Sequence, residues 1–263
     1  RQDCYMWVYK TGRSEPKKMV LYQFENDRKH EIASDFLEGF NGIIQSDGYQ
    51  AYTNIEDVKN MGCFAHLRRK FVEVMDVAPK GTEIKETETY KMYQLLNKLF
   101  HLEKVYDKNY KNDYDRITKE RKKNSLPILN EFYKKVNAVA PYVSKKSHLD
   151  TAITYTINNE QYLRYYIEDG RVELSNNSAE RCCKSFIIGR KNFLFSNSIN
   201  GAKASGAAYS IIESAKMNGL KPYDYTEYIL KKMTGNKLTK DLFEEIMPWS
   251  EKLPKNLYKD KKA

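Results

Sequence analysis

Apolar positions in the first third of the chain switch between strand-like and helical spacing. Tyr5-Met6-Trp7-Val8-Tyr9 and Met19-Val20-Leu21-Tyr22-Gln23-Phe24 flank Thr11-Gly12-Arg13-Ser14, with Pro16 just beyond, and predict a hairpin with a fairly long loop. Residues 29–40 then set Ile32, Ala33, Phe36, Leu37 and Phe40 on one helical face. Gly42-Ile43-Ile44-Gln45 predicts a short strand ending at Ser46-Asp47-Gly48, followed by a helix over Tyr49 to Ile55. Met61-Gly62-Cys63-Phe64-Ala65 predicts a second buried strand, and His66 through Met75 a helix. Two antiparallel strands followed by strand–helix–strand–helix units predict a mixed α/β sheet.

From Asp76 the spacing becomes helical. Tyr90, Tyr93, Leu96 and Phe100, then Ile128, Phe132 and Val136, recur at turn intervals, punctuated by Pro79, Gly81, Pro127 and Pro141. This predicts an α-helical insertion, in which Lys119-Glu120-Arg121-Lys122-Lys123 is expected to be a solvated helix end rather than a DNA clamp. A further helical stretch covers about 147–168 and closes at Asp169-Gly170. Val172-Glu173-Leu174 is a brief extended piece leading to Ser175-Asn176-Asn177, a helix start. Gly201 to Met217 predict a helix with a small-residue face of Gly201, Ala204 and Ala208, capped at Gly219. Pro222 opens the next helix, and the Lys-rich tail from about 250 is expected to be loose.

Charge narrows the partners. Lys and Arg number 45 against 35 Asp and Glu, a formal charge of +10, which favours a polyanion such as nucleic acid, although a basic solvated surface has the same composition. No run of 18 apolar residues spans a membrane, and the N-terminus lacks a signal-peptide core. Cys4, Cys63, Cys182 and Cys183 fit neither a disulfide framework nor a CxxC zinc site, so a reducing cytoplasm is expected. The chain opens on Arg1 rather than methionine, which suggests that sequence upstream is absent.

Several positions carry candidate chemistry. Asp47 follows an apolar strand, where side chains project from a rigid support, yet Asp-Gly also starts turns. Glu180 stands three residues after Asn177, a spacing that also satisfies a capping box and complements the helix dipole. His66 precedes Leu67-Arg68-Arg69-Lys70, whose cations suit either an exposed helix face or phosphate contacts. Gly189-Arg190-Lys191-Asn192-Phe193-Leu194-Phe195 mixes cations with aromatics, which grip DNA backbone and stack on bases or, equally, anchor a loop to the core.

The order of these segments resembles one family, the insertion sequence sixty-six family of bacterial transposases. Tyr5-Met6-Trp7-Val8-Tyr9, Gln45-Ser46-Asp47-Gly48-Tyr49 with Tyr52, and Gly62 through Phe71 carry the first part of the likeness. Asp169-Gly170-Arg171, Asn176 through Arg181, Gly189 through Phe195, Tyr209 through Lys216 and Met247-Pro248-Trp249 carry the rest. The resemblance covers nearly the whole chain.

It implies an RNase H-like mixed sheet with an α-helical insertion before the catalytic glutamate and a helical C-terminal extension. On that reading residues 1–75 begin the catalytic core, 76–168 are the insertion, 169–219 complete the core, and 220–263 form the C-terminal element and basic tail. Family members hold divalent metal with two aspartates and a glutamate. Asp47 matches the second aspartate and Glu180 the glutamate, while the Ala-Asp-Glu-Thr segment of the first has no counterpart, and Asp3 is in the wrong place to substitute. The implied chemistry is Mg²⁺- or Mn²⁺-dependent strand cleavage and transfer at a two-metal site, with His66 and Asn177 supporting the ligands and Arg68, Arg69, Lys70, Arg181, Arg190 and Lys191 on the DNA backbone. Implied partners are double-stranded DNA at transposon ends and target, and further copies of the chain, in the bacterial cytoplasm at the nucleoid. The alternatives are an inactive DNA-binding remnant, or an RNase H-like nuclease or resolvase that cuts without joining.

Overall fold

The structure, a computed structural model, describes residues 4–260, so Asp3 lies outside the described residues. The fold is mixed α/β, mostly helical with small sheets. The chain divides into two compact units, one of residues 1–28 with 178–263 and one of residues 29–177.

In the first unit the predicted hairpin forms. Strand β1 (Tyr5–Lys10) pairs antiparallel with β2 (Val20–Glu25), Tyr5 opposite Glu25 and Lys10 opposite Val20. An exposed strand edge needs its N–H groups satisfied or covered. Helix α9 (Ile199–Met217) does so with serines: Val20 N–H donates to Ser214 Oγ at 2.9 Å and Tyr22 N–H to Ser210 Oγ at 2.8 Å. The contact stripe is Ala202, Gly206, Ser210 and Ser214, four residues apart, and not Gly201, Ala204 and Ala208, which are exposed. The predicted small-residue face was therefore rotated, because the serines that decide it were not counted as part of the pattern.

Helix α8 (Asn177–Phe193) sends Cys182 into the same core, where Tyr22 Oη donates to the Cys182 carbonyl at 2.7 Å. Helices α10 (Pro222–Met233) and α11 (Lys240–Ile246) close a second core around Leu220, Tyr225, Ile229 and Ile246. Through Lys259 the Lys-rich tail is anchored rather than loose. Leu253 and Leu257 are buried in that core, Lys221 N–H donates to the Leu257 carbonyl at 2.8 Å, and Lys259 N–H to Gly219 at 2.9 Å. Two leucines among the lysines are enough to dock it.

In the second unit α1 (His30–Phe36) is shorter than predicted, and Phe36 and Phe40 are exposed while Ala33 and Leu37 are buried. Strand β3 (Gly42–Gln45) lies parallel to β4 (Val58–Met61), Gly42 opposite Val58. The strand expected at Met61–Ala65 thus ends at Met61, and Phe64 already opens α2 (Phe64–Asp76). Only a single 3₁₀ turn, Gln50–Tyr52, replaces the helix expected over 49–55. Among the described residues the strands pair as β1 with β2 and β3 with β4.

The helical region follows as α3 (Glu88–Tyr110), α4 (Tyr114–Glu120), α5 (Leu126–Val139), α6 (His148–Asn158) and α7 (Glu160–Arg164). Phe64, Leu67, Phe71, Leu96, Leu99, Phe132 and Val136 share its core. A π-helical turn, Arg121–Ser125, joins α4 to α5. Lys119, Lys122 and Lys123 are exposed as expected of a solvated run, but Arg121 among them is fully buried. A guanidinium is retained inside because its donors all find acceptors: both Glu103 oxygens and the carbonyls of Tyr166, Asp169 and Val172.

Candidate functional site

Asp47 is exposed two residues beyond β3. Its Oδ1 accepts the Tyr49 N–H at 3.1 Å, so one carboxylate oxygen closes the turn. Gly48 adopts φ +90°, and a Cβ there would meet Asn159 Oδ1 at 3.2 Å; glycine is what this turn accepts. Tyr155 of α6 braces the corner by donating its hydroxyl to the Asp47 carbonyl at 3.1 Å. Burial first, then the nearby Cys63 and Asp47, pushes the Tyr155 hydroxyl up to about 12. Lys70 lies over the same ring, 4.9 Å from its centroid. The strand end is thereby tied to both α2 and α6, which is the rigid backing a ligating side chain needs.

The basic triplet on α2 splits by geometry. Arg68 stacks on Phe100 at 4.1 Å and donates to Asn97 at 3.3 Å, so packing uses its guanidinium. Arg69 is exposed, and Lys70 is half-buried on Tyr155. His66 sits half-buried in the first turn of α2, not at a strand end.

The segment before Asn177 is sewn to this corner. Gln45 Nε2 donates to the Glu173 carbonyl at 2.6 Å, Phe64 N–H to Leu174 at 3.1 Å, and Asn176 N–H to Cys63 Sγ at 3.4 Å. Of the residues that make this corner, Gln45 and Cys63 lie inside the family-like segments Gln45–Tyr49 and Gly62–Phe71, whereas nothing in the local sequence marks Tyr155. Asp169 ion-pairs with Arg171, whose side-chain bonds hold the carboxyl below its ordinary range. The 2.6 Å contact is mostly local.

Glu180 belongs to the other unit, half-buried in the first turn of α8, with Arg181 exposed beside it. Burial raises the Cys183 thiol, and Cys182 and Glu180 add to the effect by their charge. Arg190 and Lys191 are exposed in the last turn of α8. Phe193 leans on Phe186 edge to face at 5.9 Å, whereas Phe195 is exposed. Among the described residues no group of three or more His, Cys, Asp or Glu is arranged to hold a metal ion. Among them, too, no helix is long and apolar enough to cross a membrane.

Asp47 and Glu180 both lie within the span that the family comparison covers. The profile described as "Transposase IS66 family" matches residues 1–204, and "IS66 C-terminal element" matches 210–249. The chain belongs to the IS66 family of transposases. Three uncharacterized proteins of Sinorhizobium fredii are similar to it. Protein y4qI is 30% identical over 94% of this chain and 47% of its own length. Protein y4jD is 27% identical over 94% of this chain and 49% of its own, and y4hP 26% identical over 88% and 43%. The chain therefore spans about half the length of these relatives. No solved structure matches it.

Proposed function

We propose that this chain forms the catalytic part of a DNA transposase with an RNase H-like core, and that Asp47 and Glu180 are two of its metal ligands. Family membership supports the transposase role, and one observation carries the ligand assignment. Asp47 stands exposed at the end of a parallel-sheet strand, on a turn braced by Tyr155 and tied through Gln45 to the segment that enters α8. A carboxylate kept only to close a turn has no need of that backing.

The donor chemistry fits a hard divalent cation, since carboxylate oxygens are what Mg²⁺ and Mn²⁺ prefer. When bound, the cations supply Lewis acidity at the attacking and leaving oxygens of a phosphodiester. The residues' own part is positional. Asp47 offers the oxygen its turn leaves over, Glu180 presents a carboxylate from a helical first turn, and His66 and Asn177 stand in the first turns of α2 and α8. Arg69, Arg181, Arg190 and Lys191, all exposed, suit backbone phosphates of double-stranded DNA without reading sequence. Arg68 and Lys70 are further cations of α2, held in packed positions. Residues 76–168 are proposed as the insertion between the two carboxylates, and a homo-oligomer as the working assembly.

The test uses protein expressed from the whole open reading frame, supercoiled plasmid bearing the element's ends, and Mg²⁺ or Mn²⁺. Asp47→Ala and Glu180→Ala are each expected to bring strand cleavage to background while DNA binding persists. Full cleavage by either variant overturns the assignment. Cleavage without strand joining by the unaltered protein would point to a nuclease instead.

A further inference from the structure

The corner between α8 and α9 exposes apolar side chains on a stretch of sequence without acidic residues. Leu194 is 64% exposed and Phe195 63%. Between Glu180 and Glu213 there is no acidic residue, while Arg181, Lys184, Arg190, Lys191 and Lys203 all occur there. Lys184, Arg190, Lys191 and Lys203 are exposed, and none has an ion-pair partner among the described residues. Bare apolar groups on a stretch whose charged residues are all cations do not suit another basic surface, and a second copy of this chain carries the same charges on that stretch.

The backbone holds this corner in an unfavourable shape. Leu194 adopts φ +63°, the left-handed position that closes a helix and usually takes glycine. Leu194 N–H donates to the Arg190 carbonyl and Phe195 N–H to Phe193, both at 2.7 Å, so the chain reverses sharply and turns both side chains outward. Behind them stands a rigid aromatic stack. Phe193 packs on Phe186 at 5.9 Å, Phe186 on Tyr209 at 5.1 Å, and Tyr209 on Tyr22 of the hairpin at 5.7 Å. Cations that track a backbone, beside aromatic groups on a stiff support, are the two components of single-strand recognition.

We propose that Phe195 stacks on an unpaired base, with Leu194 packing against its apolar face or edge, in DNA whose backbone is held by Lys184, Arg190, Lys191 and Lys203. The proposal rests on the DNA reading above and adds to it a preference for distorted or opened DNA. The probes are a fluorescein-labelled duplex and the same duplex carrying a short single-stranded gap, titrated with the full chain by fluorescence anisotropy. The gapped probe is expected to bind more tightly, and Phe195→Ala or Leu194→Ala to remove that preference by about tenfold while leaving the intact duplex unaffected. Arg190→Ala with Lys191→Ala should weaken both probes alike and flatten their salt dependence. Equal binding of the two probes, or a preference that survives both apolar substitutions, overturns the stacking role and leaves the DNA reading standing. Failure to bind either probe overturns both. Self-association in sedimentation velocity that Phe195→Ala abolishes also overturns it, because the patch is then a face between copies. Circular dichroism of each variant confirms that the fold is retained, as expected for such exposed positions.

Discussion

Arg121 and Glu103 form an ion pair inside the helical unit, with the Arg121 side chain wholly out of solvent and that of Glu103 nearly so. Arg121 Nε donates to Glu103 Oε2 at 3.1 Å, and Tyr166 Oη donates to the same oxygen at 2.8 Å. The guanidinium also binds the carbonyls of Tyr166, Asp169 and Val172 at 2.7–2.9 Å. One side chain from the end of α4 therefore pins the stretch that runs toward α8.

Removing either partner leaves a buried charge without its counterion. Glu103→Gln and Arg121→Met are each expected to destabilise the protein by about 3–5 kcal/mol. The double substitution should recover part of that loss but not all, because three carbonyls remain without a donor. Thermal unfolding followed by circular dichroism checks this; singles within experimental error of the unaltered protein would show that the cluster is dispensable.

At Gly206 a Cβ would lie 2.8 Å from the Tyr22 carbonyl oxygen, a backbone atom that cannot swing aside. Gly206→Ala should cost about 1–3 kcal/mol despite alanine's better helix propensity. Ala204→Ser, on the exposed side of the same helix, should stay within about 0.5 kcal/mol. Urea denaturation of the two variants separates the packed stripe from the solvated one.

Asp47 has a turn role and a proposed ligand role, and one substitution divides them. An asparagine side-chain carbonyl can still accept the Tyr49 N–H, now received at 3.1 Å, but it carries no charge. Asp47→Asn is expected to keep the melting temperature and lose Mg²⁺-dependent strand cleavage. A variant that melts normally and cleaves normally would reduce Asp47 to a turn residue.

Tyr155 sets an alkaline limit. Its hydroxyl titrates near 10 when exposed and is pushed up to about 12 in the fold, chiefly by burial. The folded state thus holds the proton more tightly, so its contribution to stability is complete below pH 10 and is lost as pH rises through about 12. Melting temperature measured across that window should fall less steeply for Tyr155→Phe, which has no proton to lose there. An identical slope would assign the alkaline loss to other buried tyrosines.

The hairpin, β3 and the long helices were legible because each carries its own period, and no tertiary partner contradicts it. Asp47 and Glu180 were legible as candidates from motif order. The start of α2 was not: Cys63-Phe64-Ala65 is apolar enough for a strand, but Phe64 N–H is taken by the Leu174 carbonyl, from far along the chain. Nor was Arg121, which looks like any surface cation until Glu103 and three carbonyls meet it.

By itself the sequence determined the family, the hairpin, β3, the long helices and the positions of two candidate carboxylates, since these depend on local pattern and residue order. Tertiary structure decided which small residues of α9 face β2, that the Lys-rich tail is anchored, that Arg68 is spent on packing and that Leu194 and Phe195 stay exposed. Those outcomes hinge on acceptors, rings and edges supplied by residues distant in the chain, and no local pattern encodes where such partners will be.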